Sequence, residues 1–289
     1  MSPQDPGRLV PVSDTRLYVE ERGAAGGLPV VVLHGGPGLD HREFGDYLDP
    51  LGDEFRLVFV DQRGQGRSDL ALEDSLTVAK MAEDVVHLGR ELGLGRYAVL
   101  GHSFGAFVAL LGAVDFPGMA AATIVSSGVP AARYLEVVDR NLAAFEPEEL
   151  RLRVAESWER EATATSHADV AALLSEQLPF HFADPLDPRI DDYERRSAGG
   201  RYAADVLRHF AAAGYGAIDV EDRLGDVTSP MLVIAGRHDR ACPVEAAEAI
   251  ARGVSGAELF VLEDSAHMGF VEEPRAYLGA VRRFLRSVA

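Results

Sequence analysis

Cysteine is almost missing from the sequence: Cys242 stands alone, which excludes an internal disulfide and a thiolate metal cluster. Basic residues are also scarce, with 28 Lys and Arg against 46 Asp and Glu in 289 residues, a formal charge of −18 with histidines neutral. Polyanions are held by cations that displace their counterions, so this balance argues against nucleic acid and anionic membrane surfaces as partners. Metal and nucleotide motifs are lacking as well. No H-E-x-x-H pattern occurs. The stretch Asp61-Gln62-Arg63-Gly64-Gln65-Gly66-Arg67-Ser68-Asp69 has loop glycines but neither the lysine nor the spacing of a phosphate loop or dinucleotide fingerprint. No cofactor and no metal are expected. Residues 1–7 carry Pro3, Asp5 and Pro6 where a secretory leader needs a basic start and an apolar run, so the expected location is cytoplasmic.

Long uncharged runs are equally rare. Residues 97–114 form one of a length approaching a membrane span, yet Gly101, His102, Ser103 and Gly105 interrupt its middle. That suits a buried strand turning sharply into a buried helix. With 47% hydrophobic and 26% charged residues, the chain has the makings of a sizeable globular core.

Periodicity supplies the architecture. Residues 9–22 alternate weakly around Ser13-Asp14-Thr15 and read as an antiparallel hairpin. Short apolar runs at 29–33, 55–60, 97–100 and 121–125 then alternate with helical stretches such as 75–92 and 106–114. Such alternation implies a parallel sheet covered on both faces, because parallel neighbours need crossover connections. The pattern stops near Ala131 and resumes with a strand at 231–235, a helix at 244–253, a strand at 259–262 and a helix at 274–288. Between them, residues 134–216 are rich in Ala, Glu, Arg and Leu at helical spacing, with Pro147, Pro179, Pro185 and Pro188 as breaks. The predicted organisation is a core of 1–130 and 217–289 around an all-helical insertion, 131–216.

The sharpest chemical signal is Gly101-His102-Ser103-Phe104-Gly105, placed between a predicted strand and helix. There the glycines relieve crowding in a tight turn and the serine hydroxyl is presented at the sheet's carboxyl edge. A serine needs a base within reach and an acid to hold the base's tautomer. Later strand ends offer Gly236-Arg237-His238-Asp239 and Glu263-Asp264-Ser265-Ala266-His267. Catalytic groups gather at this edge of parallel sheets, so Ser103, Asp239 and His267 are the candidate catalytic residues. Asp264 remains a rival for the acid, His238 reads as surface, and His102 as a buried neighbour. His34-Gly35-Gly36-Pro37-Gly38 follows the 29–33 strand, where glycines let backbone approach a ligand. The Phe104 and Gly36 amides are the candidate oxyanion donors, with Gly35 the alternate, since Pro37 has no N–H.

The order Ser, Asp, His and the elbow around Ser103 resemble the α/β-hydrolases over most of the chain. The resemblance implies a mostly parallel eight-stranded sheet flanked by helices, with the helical insertion as a cap. Within that superfamily, residues 34–38 together with 61–68 look like the proline iminopeptidase branch, serine peptidases that release an N-terminal residue, preferentially proline. In that branch, cap carboxylates grip the substrate's free amino group, and Trp158-Glu159 matches its Trp-Glu pattern. The implied substrate-binding residues are therefore Gly35, Trp158 and Glu159. Phe104 and Ala106 depart from the branch, which often has Trp and a second Gly there, and Asp191-Asp192-Tyr193-Glu194 reads more simply as a solvated charge run. The expected activity is release of N-terminal proline or a small residue from short peptides or amino-acid amides. Esterase or lactonase action on small hydrophobic esters is the alternative, and a non-catalytic ligand-binding homologue the remoter one.

Overall fold

A computed structural model describes residues 6–289, so most of the proline-containing amino-terminal stretch read above lies outside it. Eight strands form one sheet in the order β1-β2-β4-β3-β5-β6-β7-β8. Strands β1 (Arg8–Val12) and β2 (Thr15–Gly23) make the expected hairpin, and β2 pairs antiparallel with β4 (Arg56–Asp61). From there β3 (Pro29–Leu33), β5 (Ala98–His102), β6 (Ala122–Ser126), β7 (Met231–Gly236) and β8 (Glu258–Leu262) are all parallel. The sheet is therefore mixed only at the hairpin end.

Period-two alternation explains why helices cover both faces. Val31, Leu33, Val58, Val99, Val125 and Val233 face one layer, packed on α1 (Val78–Glu91), α2 (Phe104–Asp115) and α8 (Val244–Gly253). Their neighbours Val30, Val32, Leu57, Leu100, Ile124 and Leu232 face the other, where the short α9 (Gly269–Glu272) contributes Phe270 and α10 (Pro274–Val288) contributes Tyr277, Val281, Phe284 and Leu285. Strands buried on both faces have no polar side to show, hence the continuous apolar runs in the sequence. The helix predicted from residue 75 begins instead at Val78, because the Thr77 side chain accepts the Lys80 N–H and caps it.

Between β6 and β7 lie α3 (Val137–Ala143), α4 (Glu148–Glu161), α5 (His167–His181), α6 (Arg189–Arg196) and α7 (Ala204–Ala212), with an isolated bridge, Ala131 to Asp219, where the chain leaves and re-enters the sheet layer. Pro147 and Pro188 cap α4 and α6 as breaks should. Pro179 corrects the expectation: it sits inside α5, two residues from its end, where losing one N–H interrupts only the last turn. Among the described residues, no helix is long and apolar enough to cross a membrane.

Candidate active site

Ser103 follows β5 at φ 53°, ψ −119°, a conformation that side-chain-bearing residues rarely adopt. It is held there from both sides: its N–H donates to Ser126 O at 2.9 Å, and its carbonyl accepts Ala106 N–H at 2.9 Å. Crowding accounts for the glycines around it. A Cβ on Gly105 would lie 2.4 Å from Leu33 O and 2.5 Å from His34 O, so the loop after β3 rests directly on the elbow. A Cβ on Gly35 would lie 3.1 Å from Ser103 Cβ.

The loop after β3 is braced by the motif after β4. Gln62 donates its backbone N–H to His34 Nε2 at 3.1 Å and its side-chain amide to His34 O at 2.8 Å, while Gly38 N–H donates to Gln65 Oε1 at 2.6 Å. Since His34 Nε2 accepts, Nδ1 carries the proton and donates to Gly35 O at 2.9 Å; burial holds this imidazole below the ordinary histidine range and keeps it neutral. Arg63, itself 2% exposed, forks onto Asp84 of α1 at 2.8 and 2.7 Å, locking the same motif to the helix layer. These residues hold a loop.

Asp239 and His267 come from the loops after β7 and β8, which approach so closely that a Cβ on Gly236 would strike Ala266 O. His267 Nδ1 donates to Asp239 Oδ2 at 2.8 Å. The other oxygen, Oδ1, accepts the Ala241 and Cys242 N–H groups at 2.9 Å each. Burial alone would neutralise this carboxyl, but His267 and the two amides hold Asp239 below the usual carboxylate range. Burial likewise disfavours a charged imidazole, but the charge and hydrogen bond of Asp239, with the Glu43 and Glu272 carboxyls, together outweigh it and keep His267 above the ordinary histidine value. The rival acid, Asp264, uses its backbone N–H to bond Glu273 at 3.0 Å, and His238 is exposed.

Ser103 and His267 line one cavity of about 650 Å³, within the usual range for a small-molecule site. Among the described residues, the Ser103 hydroxyl makes no hydrogen bond to the imidazole, a looseness common in unliganded sites. Gly36 and Phe104 also line the cavity, and neither backbone N–H is taken by another described residue. Gly35 differs. Its N–H donates to Glu43 Oε2 at 2.5 Å, so the alternate oxyanion donor is already engaged.

The roof of the cavity comes from the segment between β6 and β7. Trp158 packs edge-on against Phe180, ring centroids 4.9 Å apart, and also lines the cavity, so it is at once core and wall. Glu159 reaches the cavity only from an exposed position. Of the 191–194 run, Asp191 is exposed, while Tyr193 is buried and lines the cavity with Glu194, so the reading as a solvated run holds only in part.

Three carboxyl or imidazole groups shielded within the cavity wall have no counterpart in the sequence reading. Glu161, buried on α4, accepts hydrogen bonds from Tyr215 at 2.5 Å and Gln177 at 2.8 Å, and burial raises its carboxyl despite both donors. His181, at the end of α5, sets its ring tilted against that of His267, centroids 4.9 Å apart, and accepts the His267 backbone N–H through its carbonyl; burial pushes its imidazole down to about 3. Glu43 is the third. Only Glu161 had a nearby signal, two residues beyond Glu159.

Two sets of ligand-type atoms lie within 4.8 Å of one another, Asp239-Cys242-His267 and Asp40-His41-Asp61. In both, the carboxylates already accept protein N–H groups, Asp61 from His41 and Arg67 and Asp40 from Arg67 and Arg201. They serve as local locks.

Residues 29–274 match the model of a family described as having the alpha/beta hydrolase fold. A proline iminopeptidase of Heyndrickxia coagulans is 31% identical over 274 residues, covering 91% of this chain and 92% of its own. A 3-oxoadipate enol-lactonase of Acinetobacter baylyi is 23% identical over 90% of each chain. Among solved structures, the proline iminopeptidase of Mycobacterium smegmatis superposes with a TM-score of 0.76 at 26% identity, covering 98% of both chains.

Proposed function

This chain belongs to the alpha/beta hydrolase family, and we propose that within it the protein is a serine hydrolase that releases an N-terminal residue, proline or a small one, from short peptides or amino-acid amides. The observation that carries the reading is the pairing of a Ser103-His267-Asp239 set with carboxyl groups lining the same cavity, in a chain 31% identical to a proline iminopeptidase. His267 takes the proton of Ser103, the alkoxide attacks the carbonyl, and the Gly36 and Phe104 amides receive the oxyanion. Asp239 holds the imidazole in the tautomer with Nε2 free and stabilises the imidazolium. The protonated His267 gives its proton to the leaving amine; water activated by the same ring then frees the acyl group. Trp158 serves as wall to the acyl group, with Glu159 at the rim and Glu161 deeper as acceptors for a free amine.

A substrate panel tests this. Prolyl and alanyl arylamides are cleaved, and their N-acetylated forms are not; equal cleavage of both removes the aminopeptidase reading.

A second reading, esterase or lactonase action, has its own support in the apolar lining of Leu135, Val138, Leu142, Leu174 and Leu178. It predicts that a simple aryl ester outruns every aminoacyl substrate.

A further inference from the structure

Glu43 stands on the short 3-10 turn His41–Phe44, just beyond the loop after β3, and lines the cavity from the sheet side, opposite the helical roof. Its two oxygens have different surroundings. Oε2 accepts the Gly35 N–H, whereas Oε1 makes no hydrogen bond among the described residues. The carboxyl is only 9% exposed, with its free oxygen open to the cavity, and shielding an acid from bulk water costs free energy, so its presence needs a reason. Its position suggests one. The point where a Gly35 Cβ would sit is 2.7 Å from Glu43 Oε1 and 3.1 Å from Ser103 Cβ, so the free oxygen lies within about 6 Å of the nucleophile's side chain. In an aminoacyl substrate the nitrogen is attached to the carbon next to the attacked carbonyl, a donor at the right remove from Ser103.

We propose that Glu43 is a specificity-determining residue: its Oε1 accepts the free α-ammonium group of the acyl residue being released, while Oε2 keeps Gly35 in place. This rests on the aminopeptidase reading and deepens it. The anchor is carried by the sheet-side loop, so the amine is referenced to the same loop that supplies the Gly36 oxyanion donor. Charge supports the choice of an ammonium over a neutral donor. Burial raises the Glu43 carboxyl to about 7, with Asp40 pushing the same way and His267 and the Gly35 amide pulling it down. A bound cation at Oε1 would favour the ionised form, and charge-assisted hydrogen bonds are the stronger kind.

The test compares phenyl esters of proline and of cyclopentanecarboxylic acid, which share ring and leaving group and differ in the amine. Wild-type enzyme is expected to prefer the prolyl ester. Glu43→Gln, which keeps an oxygen for Gly35, is expected to lower kcat/KM for the prolyl ester about 10- to 100-fold more than for the other, as loss of a hydrogen bond to a charged group predicts. Equal losses on both esters mean Glu43 only positions its loop, and overturn the proposal. Preference retained in full by the variant also overturns it, yet leaves the aminopeptidase reading intact. A wild type without preference for the amine sinks both. Thermal melting checks the fold of the variant. Glu43→Asp, which withdraws the acid by one methylene, supplies a second arm: part of the preference is expected to go, and full retention counts against Glu43.

Discussion

The sheet-edge loops and the helical roof meet at one cavity but are built differently. Each candidate group at the sheet edge is held by several backbone bonds: Ser103 between Ser126 and Ala106, Asp239 by Ala241 and Cys242, His34 by Gln62. Backbone packing is tight enough there that a single added methyl at Gly105 or Gly236 meets a carbonyl oxygen. The roof consists of helices, two of whose cavity carboxyls are tied to other side chains, Glu161 to Tyr215 and Gln177, Glu194 to Ser175. Chemistry, and the Glu43 anchor proposed for the amine, need atoms placed to a fraction of an ångström, and backbone supplies that; tolerance for the rest of the acyl group needs only charge and shape, which side chains on helices can supply and vary.

The contrast is open to attack at several points. Ser103→Ala should remove turnover by about 10⁶-fold while leaving the melting temperature near that of wild type, measured by steady-state kinetics and calorimetry. Residual activity above a trace would take the chemistry away from the sheet edge altogether. Asp239→Asn keeps the shape but presents the wrong hydrogen-bonding partner to His267, and should cost about 10⁴-fold in kcat.

Because His267 acts as base only when neutral, and its pairing with Asp239 holds its pKa above the ordinary value, activity should fall about tenfold per pH unit on the acid side of a midpoint above 6.5. The sign follows directly: a raised pKa means protonation, and loss, at higher pH. An ester without an amine is the substrate of choice, since no substrate ionisation then enters the profile, and running it on Glu43→Gln removes the neighbouring carboxyl, itself raised to about 7, as a second source. An acid limb centred below 6.5 would show that Asp239 does not dominate the imidazole.

The roof should respond far less. Glu161→Gln removes a buried carboxyl that faces the cavity and should change kcat/KM for free-amine substrates by about tenfold, with little effect on simple esters. Glu159→Gln acts from an exposed site and should stay within about fivefold, the range of a screened surface charge. If Glu159 proved more important than Glu161, the roof would have to close further over substrate than it does here.

Much of this was legible in the chain. Strand limits at β3 and helix limits at α8 and α10 coincide with those read from periodicity, because burial on both faces leaves unbroken apolar runs between clear breakers. Ser103, Asp239 and His267 were nameable because each follows a predicted parallel strand, and topology alone sends such ends to one edge. Pro179 was misread as a break, since a proline near a helix's last turn disturbs too little to end it. Glu43 and His181 left no mark, and Glu161 only the neighbouring Trp158-Glu159 match. An isolated acid or imidazole looks the same whether it is solvated or enclosed.

Local sequence therefore determined the elements, their order and the three side chains at their ends, all of which depend on short-range periodicity and turn chemistry. Only the tertiary structure decided which oxygen of Asp239 meets His267, that Gly35 spends its N–H on Glu43, and which carboxyls lose their water. Those outcomes depend on desolvation and on how the loops fold against one another, and for Glu161 on partners as distant as Tyr215, none of which periodicity along the sequence encodes.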